Sequence, residues 1–217
     1  MSAVVEFERV ISVVGSFPVL TGLDLRVDQG EILHVRGGNG AGKTSLLRAC
    51  AGLISVSSGN ASVLGFDMRV DRSAPRRYIG LLGHENNLYR DLGVSEHIEF
   101  RAASVGAKAS DTAAALEQVG FPQQLWTVPI GSLSAGQRRK VAIASLLVGR
   151  PRLWLLDEPH AALDTESRKN LDAILTEAST SGATIIFVSH ESPATKDIAS
   201  RVVTMDGGRI MEDSGAD

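Results

Sequence analysis

The sequence predicts an α/β protein with a mostly parallel sheet, an N-terminal antiparallel β part and a helical insertion. Three observations predict it. The apolar runs in "EILHVRG", "RLWLLDEP" and "ATIIFVSH" read as strands buried on both faces, the habit of parallel sheets whose strands alternate with helices. "VVEFERV" and "LDLRVD" alternate apolar and polar residues, as half-buried strands do. From about Val94 to Gln124 the pattern turns helical, in "VSEHIEFRAASVG" and "SDTAAALEQVG", each closed by glycine.

In chain order, two alternating strands lead into "EILHVRG", a glycine-rich loop and a helical run from about Lys43 to Leu53, with Gly52 near its close. "GNASVLGFD" reads as one further strand, and "YIGLLGH" as a buried one. The helical insertion follows, then a helix opened by "SLSAGQ", the strand "RLWLLDEP", a helix from about Thr165 to Ser179 and the strand "ATIIFVSH". A short helix near Pro193 and the hairpin "RVVTMDGGRIME" finish the chain, the Asp206-Gly207-Gly208 turn being a strong hairpin signal. We expect one domain over 1–217, with a core of 1–92 and 150–217 and a helical subdomain at about 93–149.

Composition narrows the function classes. A net charge of −3 gives no global basic field, which argues against a nucleic-acid partner. A lone cysteine, Cys50, excludes an internal disulfide and fits a reducing compartment. No run approaches the roughly 20 apolar residues that cross a bilayer, and "MSAVVEFERV" lacks a signal-peptide pattern. The expectation is a cytoplasmic protein whose membrane role, if any, comes through a partner.

"GGNGAGKT", Gly37 to Thr44, fits G-x-x-x-x-G-K-[ST] between a strand and a helix. In a P-loop of this kind, backbone N–H groups and the helix N-terminus converge on a phosphate. The phosphate-binding residues are then Gly37, Gly38, Asn39, Gly40, Ala41, Gly42, Lys43, Thr44 and Ser45. Lys43 places its charge between the β- and γ-phosphates, and Thr44 is a ligand for Mg²⁺. "RLWLLDEPHAALD" ends an apolar strand in two acids, which are costly there unless they face a cation or solvent. Asp157 suits Mg²⁺, and Glu158 suits a general base for the attacking water. His190, at the end of the next strand, shares the carboxyl edge where ligands of such sheets bind.

In "SLSAGQ", Ser134 and Gln137 form a capping box. Gly136 costs about 1 kcal/mol against alanine in a helical turn. Its presence implies that something approaches the backbone there, and this helix tip reads as a second anion site.

With these motifs in order, the chain resembles the ATP-binding cassette ATPases over about residues 4–213. "GGNGAGKT" is similar to their Walker A, "LWLLDE" to their Walker B, "LSAGQ" (Leu133, Ser134, Ala135, Gly136, Gln137) to their signature, "AALD" to their D-loop and His190 to their switch histidine. The resemblance implies a P-loop NTPase core, ATP and Mg²⁺, and a head-to-tail homodimer or a pair with a second ATPase subunit. It also implies membrane-spanning transporter subunits as partners, on the inner face of the cell membrane. Ser134 and Gly136 of one chain would touch the γ-phosphate held by the other, with Asp164 across the interface. Two positions depart from the family pattern. Val14 stands at the adenine-stacking position, with Phe17 nearby as a substitute, and His84 stands at the usual glutamine of the Q-loop. "LGHENNL" resembles the haem-exporter ATPase subunits of cytochrome c maturation. The alternatives are a drug-efflux ATPase subunit, a soluble assembly ATPase of the iron–sulfur type, and a nucleotide-binding regulator without catalysis, against which Glu158 argues.

Overall fold

In the computed structural model, residues 2–189 and 198–215 are described, and they form two compact units. The first unit comprises Met1–Leu81, Arg152–Pro159 and Leu175–Asp217. Its N-terminal part is an antiparallel sheet of β1 (Ala3–Val14), β2 (Phe17–Asp28), β4 (Ser58–Val63) and β5 (Phe66–Asp67), in the order β2-β1-β4-β5. Burial alternates along β1, because one face packs on the core and the other meets water.

The second sheet has six strands: β3 (Ile32–Arg36), β6 (Ile79–Leu82), β7 (Leu153–Asp157), β8 (Thr184–Val188), β9 (Arg201–Asp206) and β10 (Arg209–Asp213). Their order is β10-β9-β3-β8-β7-β6. β3 runs parallel to β8 and β9, and β7 parallel to β8, while the β9–β10 hairpin is antiparallel. β7 and β8 are buried at every residue, which is why their sequences are unbroken apolar runs. The helix α1 (Lys43–Cys50) lies against β2, β7 and β8. Leu46 and Leu47 of α1 share one core with Leu23 and Leu25 of β2, Leu33 and Val35 of β3, and Leu155 and Ile186.

Arg201 fastens one end of this unit. Its Nε donates to Asp213 Oδ1 at 2.7 Å, and its guanidinium also reaches the second Asp213 oxygen, Glu31 Oε1 at 3.2 Å and Arg26 O at 2.8 Å. These bonds tie β9 to β10, to the entry of β3 and to β2.

The second unit comprises Leu82–Pro151 and His160–Ile174. The helices α2 (Val94–Val105), α3 (Ala109–Gln118) and α4 (Ala135–Gly149) pack pairwise. α4 buries Val141, Ala142, Ile143, Ala144, Leu146 and Val148, several faces at once, because neighbours surround it. The helix α5 (Thr165–Thr180) begins in this unit.

The α/β class and the mixed sheet arrangement agree with the sequence. Two local expectations do not. "GNASVLGFD" is two strands joined by a tight turn, in which Leu64 takes φ +54° beside Gly65 at +81°. The helix after the glycine-rich loop ends at Cys50, three residues earlier than expected, and Gly52 turns the chain at φ +67°.

Candidate functional site

The glycine-rich loop runs from the end of β3 at Arg36 to the first residue of α1, Lys43. Gly38, Asn39 and Gly40 face solvent, while Ala41 and Lys43 are buried and Ser45 is half-buried. α1 has no side-chain cap: its N-cap is Gly42, in the left-handed region, so no capping side chain competes for the orphan N–H groups of the first turn. Lys43 Nζ donates to Gly37 O and Gly38 O, both at 2.8 Å. The ammonium is thus folded back on two neutral carbonyls of its own loop, partners that an anion would outcompete.

Thr44 Oγ1 donates to Asp157 Oδ2 at 2.9 Å, joining the first turn of α1 to the end of β7. A hydroxyl and a carboxylate are hard oxygen donors. Together with phosphate oxygens and water they fit Mg²⁺, which takes few protein ligands. Glu158 follows at φ +49°, a costly conformation for a residue with a Cβ. Its N–H donates to Val188 O at 2.9 Å, so β8 holds the strained turn that carries this carboxylate beyond the strand end. His190 lies outside the described residues, as does the helix expected near Pro193.

Just before it, Ser189 Oγ is 2.8 Å from Nε2 of His34, a fully buried histidine of β3 stacked on Phe187. Sequence reasoning passed over His34. The signal was a histidine inside the otherwise apolar "EILHVRG". At the β1–β2 turn, Val14 pairs with Phe17, whose ring is 77% exposed and meets solvent.

The second unit holds the signature stretch. Ser134 caps α4: Gln137 N donates to Ser134 Oγ at 3.2 Å and Ser134 N to Gln137 Oε1 at 2.9 Å. Leu133 is buried and Ala135 exposed. A Cβ at Gly136 would stand 2.6 Å from Ala162 O, so the group that approaches this backbone within the chain is the carbonyl of the Ala161–Asp164 loop. Ala162 itself takes φ +63° to deliver it. Asp164 Oδ1 accepts from Ser167 N at 2.8 Å, and this backbone bond, with the Ser167 hydroxyl, holds the carboxyl below its usual range.

Nearby in the same unit, His160 Nε2 lies 2.7 Å from Asp172 Oδ1, a pair unpredicted from sequence because its members stand twelve residues apart on different elements. His84 is exposed, two residues beyond the end of β6. The loop around it is pinned by the buried Arg139 of α4, which donates to Gly83 O at 2.9 Å and Asn86 Oδ1 at 2.8 Å. The structure therefore brings together Lys43, Thr44 and Asp157 in one unit, and Ser134, Gly136 and the Ala161–Asp164 loop in the other.

Known proteins are similar to this chain in sequence and fold. A family profile described as "ABC transporter" matches residues 20–161. The glutamine transport ATP-binding protein GlnQ of Geobacillus stearothermophilus is 34% identical over 216 residues, covering 96% of this chain and 89% of the relative. The cytochrome c biogenesis ATP-binding export protein CcmA of Cupriavidus pinatubonensis is 38% identical over 178 residues, 81% of this chain and 78% of the relative. Among solved structures, a dimeric ATP-binding cassette in a post-hydrolysis state, bound to ADP and Pi, superposes with a TM-score of 0.88. It covers 96% of this chain and 97% of that one, and at 22% identity the likeness speaks for the fold.

Proposed function

The chain belongs to the ABC transporter family as an ATP-hydrolysing, ATP-binding subunit, and from that premise we propose that two copies close head to tail around two ATP molecules to drive a membrane-spanning partner. The observation that carries the site assignment is the Thr44–Asp157 bond, which sets the start of α1 beside the acids at the end of β7.

In this reading Gly37–Ser45 cradle the β- and γ-phosphates, and Lys43 leaves its loop carbonyls for the phosphate oxygens. Thr44 and Asp157 would hold Mg²⁺, which supplies Lewis-acid charge to the phosphoryl oxygens when bound. Glu158 accepts a proton from the attacking water as its oxygen bonds to the γ-phosphorus. The bond to the bridging oxygen breaks, and ADP and phosphate leave. His190 hydrogen-bonds the γ-phosphate. Ser134 and Gly136 of a second copy contact that phosphate through the Ser134 hydroxyl and the N-terminal N–H groups of α4. Asp164 lies at the interface, Phe17 takes the adenine-side contact that Val14 cannot make, and His84 stands where the family's Q-loop glutamine reaches the metal and the membrane partner. Residues 93–149 act as the helical subdomain, within one ATPase domain over 1–217.

Glu158→Gln tests the chemistry: phosphate release should fall by about a hundredfold or more, the scale of a lost general base. Release equal to the parent would remove Glu158 from that role.

The finer reading is export, of haem for cytochrome c biogenesis. "LGHENNL" and the similarity to CcmA support it. Import is the second reading, favoured by the similarity to GlnQ over 96% of the chain. Purification of the tagged chain from the membranes of its native cell decides between them. A co-purifying multi-spanning protein that needs no external solute-binding protein supports export. One that recruits a solute-binding protein supports import, and recovery with soluble assembly factors overturns both.

A further inference from the structure

The turn of the β9–β10 hairpin backs the phosphate loop. Gly208 N donates to Ala41 O at 3.0 Å, joining that turn to the loop. The turn is in turn fastened to β2: Thr21 N donates to Gly208 O at 3.1 Å, and Thr21 Oγ1 donates to Gly207 O at 2.7 Å. Arg209 Nε donates to Thr21 O at 2.6 Å. The backbones of the three segments approach one another closely at Gly42 and Gly208. A Cβ at Gly208 would stand 2.8 Å from Val19 O and 3.0 Å from Leu20 Cα. One at Gly42 would stand 2.8 Å from Val19 O and 3.1 Å from Gly208 Cα.

A loop that aims its N–H groups at a phosphate must turn carbonyls the other way, and a buried carbonyl needs a donor. Ala41 is buried, and its carbonyl finds that donor in Gly208. The peptide plane is rigid and trans, so its C=O and N–H point in opposite directions. The bond accepted by Ala41 O therefore directs the N–H of Gly42 away from Gly208.

We infer that Gly208 is a positioning residue for nucleotide binding: its N–H, fastened through Thr21, locks the Ala41–Gly42 peptide so that the Gly42 N–H faces the bound phosphate. The inference rests on the reading of Gly37–Ser45 as a phosphate loop. It adds a determinant 167 residues away in sequence, on an element that carries no residue of the motif.

The test is Mg·ADP affinity of the full chain by calorimetry, beside the thermal midpoint of each variant. Gly207→Ala is the matched control, since Gly207 also has positive φ, at +53°, but a Cβ there would meet nothing within 4 Å. Gly208→Ala should weaken Mg·ADP by about tenfold or more, and Gly207→Ala by no more than about twofold, even where the two lower the midpoint alike. Thr21→Val, which removes the hydroxyl bond to Gly207 O, should weaken binding by roughly threefold to tenfold, and Thr21→Ser should restore it. A folded Gly208→Ala that binds like the parent overturns the inference, as do equal losses at residues 207 and 208. If Gly208→Ala does not fold, the Thr21 pair decides, and a Thr21→Val chain with parental affinity overturns it. Lys43→Ala separates the two levels. Parental affinity in that variant sinks the phosphate-loop reading and the inference with it, whereas a loss there beside an intact Gly208→Ala sinks the inference alone.

Discussion

The phosphate loop and the signature stretch both lead into helix N-termini, and the two are finished in opposite ways. α1 starts from a left-handed glycine with no side-chain cap, and the lysine behind it rests on carbonyls of its own loop. α4 starts from a full capping box, with the Ala162 carbonyl seated against Gly136. The first end takes no side-chain cap from the chain, and we propose that a phosphate completes it, while the second satisfies Gln137 N and Ser134 N from within the chain. Residues at the first end should therefore govern affinity more than stability. Residues at the second end should govern stability as well as any role in a dimer.

Lys43→Ala should break this contrast most visibly. Loss of a charge-assisted contact to phosphate should lower Mg·ATP affinity by about ten- to a hundredfold, with little change in the thermal midpoint of the nucleotide-free chain. A large fall in that midpoint would mean that Lys43 is structural.

Gly136→Ala comes next. Its Cβ must displace the Ala162 carbonyl, a cost of roughly 1–3 kcal/mol for overpacking. Alanine in a helical turn offsets about 1 kcal/mol of that, so the net loss is about 0–2 kcal/mol, measured by urea unfolding without nucleotide. Ser134→Ala should cost about 1 kcal/mol as a lost cap. If neither variant changes stability, α4 is as open as α1 and the contrast fails.

The third effect concerns pH in the first unit. The Arg201 guanidinium holds the Asp213 carboxyl below its ordinary range. The folded state thus favours the charged form. Its contribution is fully present above the unfolded value of about 3.9 and is lost as pH falls through the lower folded value. Asp213→Asn should be less stable at neutral pH and should lose less stability on acidification below about pH 4 than the parent, followed by circular dichroism.

The smallest effect is at Phe17. Its ring is exposed, so Phe17→Ala should change stability by less than about 0.5 kcal/mol. A selective loss of ATP over GTP binding would assign it the adenine contact, and equal affinities would withdraw it.

What could be read from sequence follows the same division. β3, β7 and β8 were legible because strands buried on both faces leave unbroken apolar runs. The start of α4 was legible because a capping box is a local pattern. The glycines of the phosphate loop were legible as a motif, but their packing was not. Gly136 announced a close approach, yet its neighbour Ala162 lies 26 residues on and adopts positive φ without a glycine or asparagine to signal it. The Leu64–Gly65 turn hid for the same reason, since a leucine holds its left-handed position. The bonds of Gly208 to Ala41 and of His160 to Asp172 depend on which elements become neighbours, which no local pattern encodes.

In the proposed dimer two chains share each nucleotide, and the mass of the Glu158→Gln chain in saturating ATP and Mg²⁺ tests that most directly. With hydrolysis blocked, light scattering should report about twice the 23.0 kDa of one chain, and adding Ser134→Arg should return it to the monomer. A Glu158→Gln chain that stays monomeric, or a double variant that pairs as well as the single one, would contradict it.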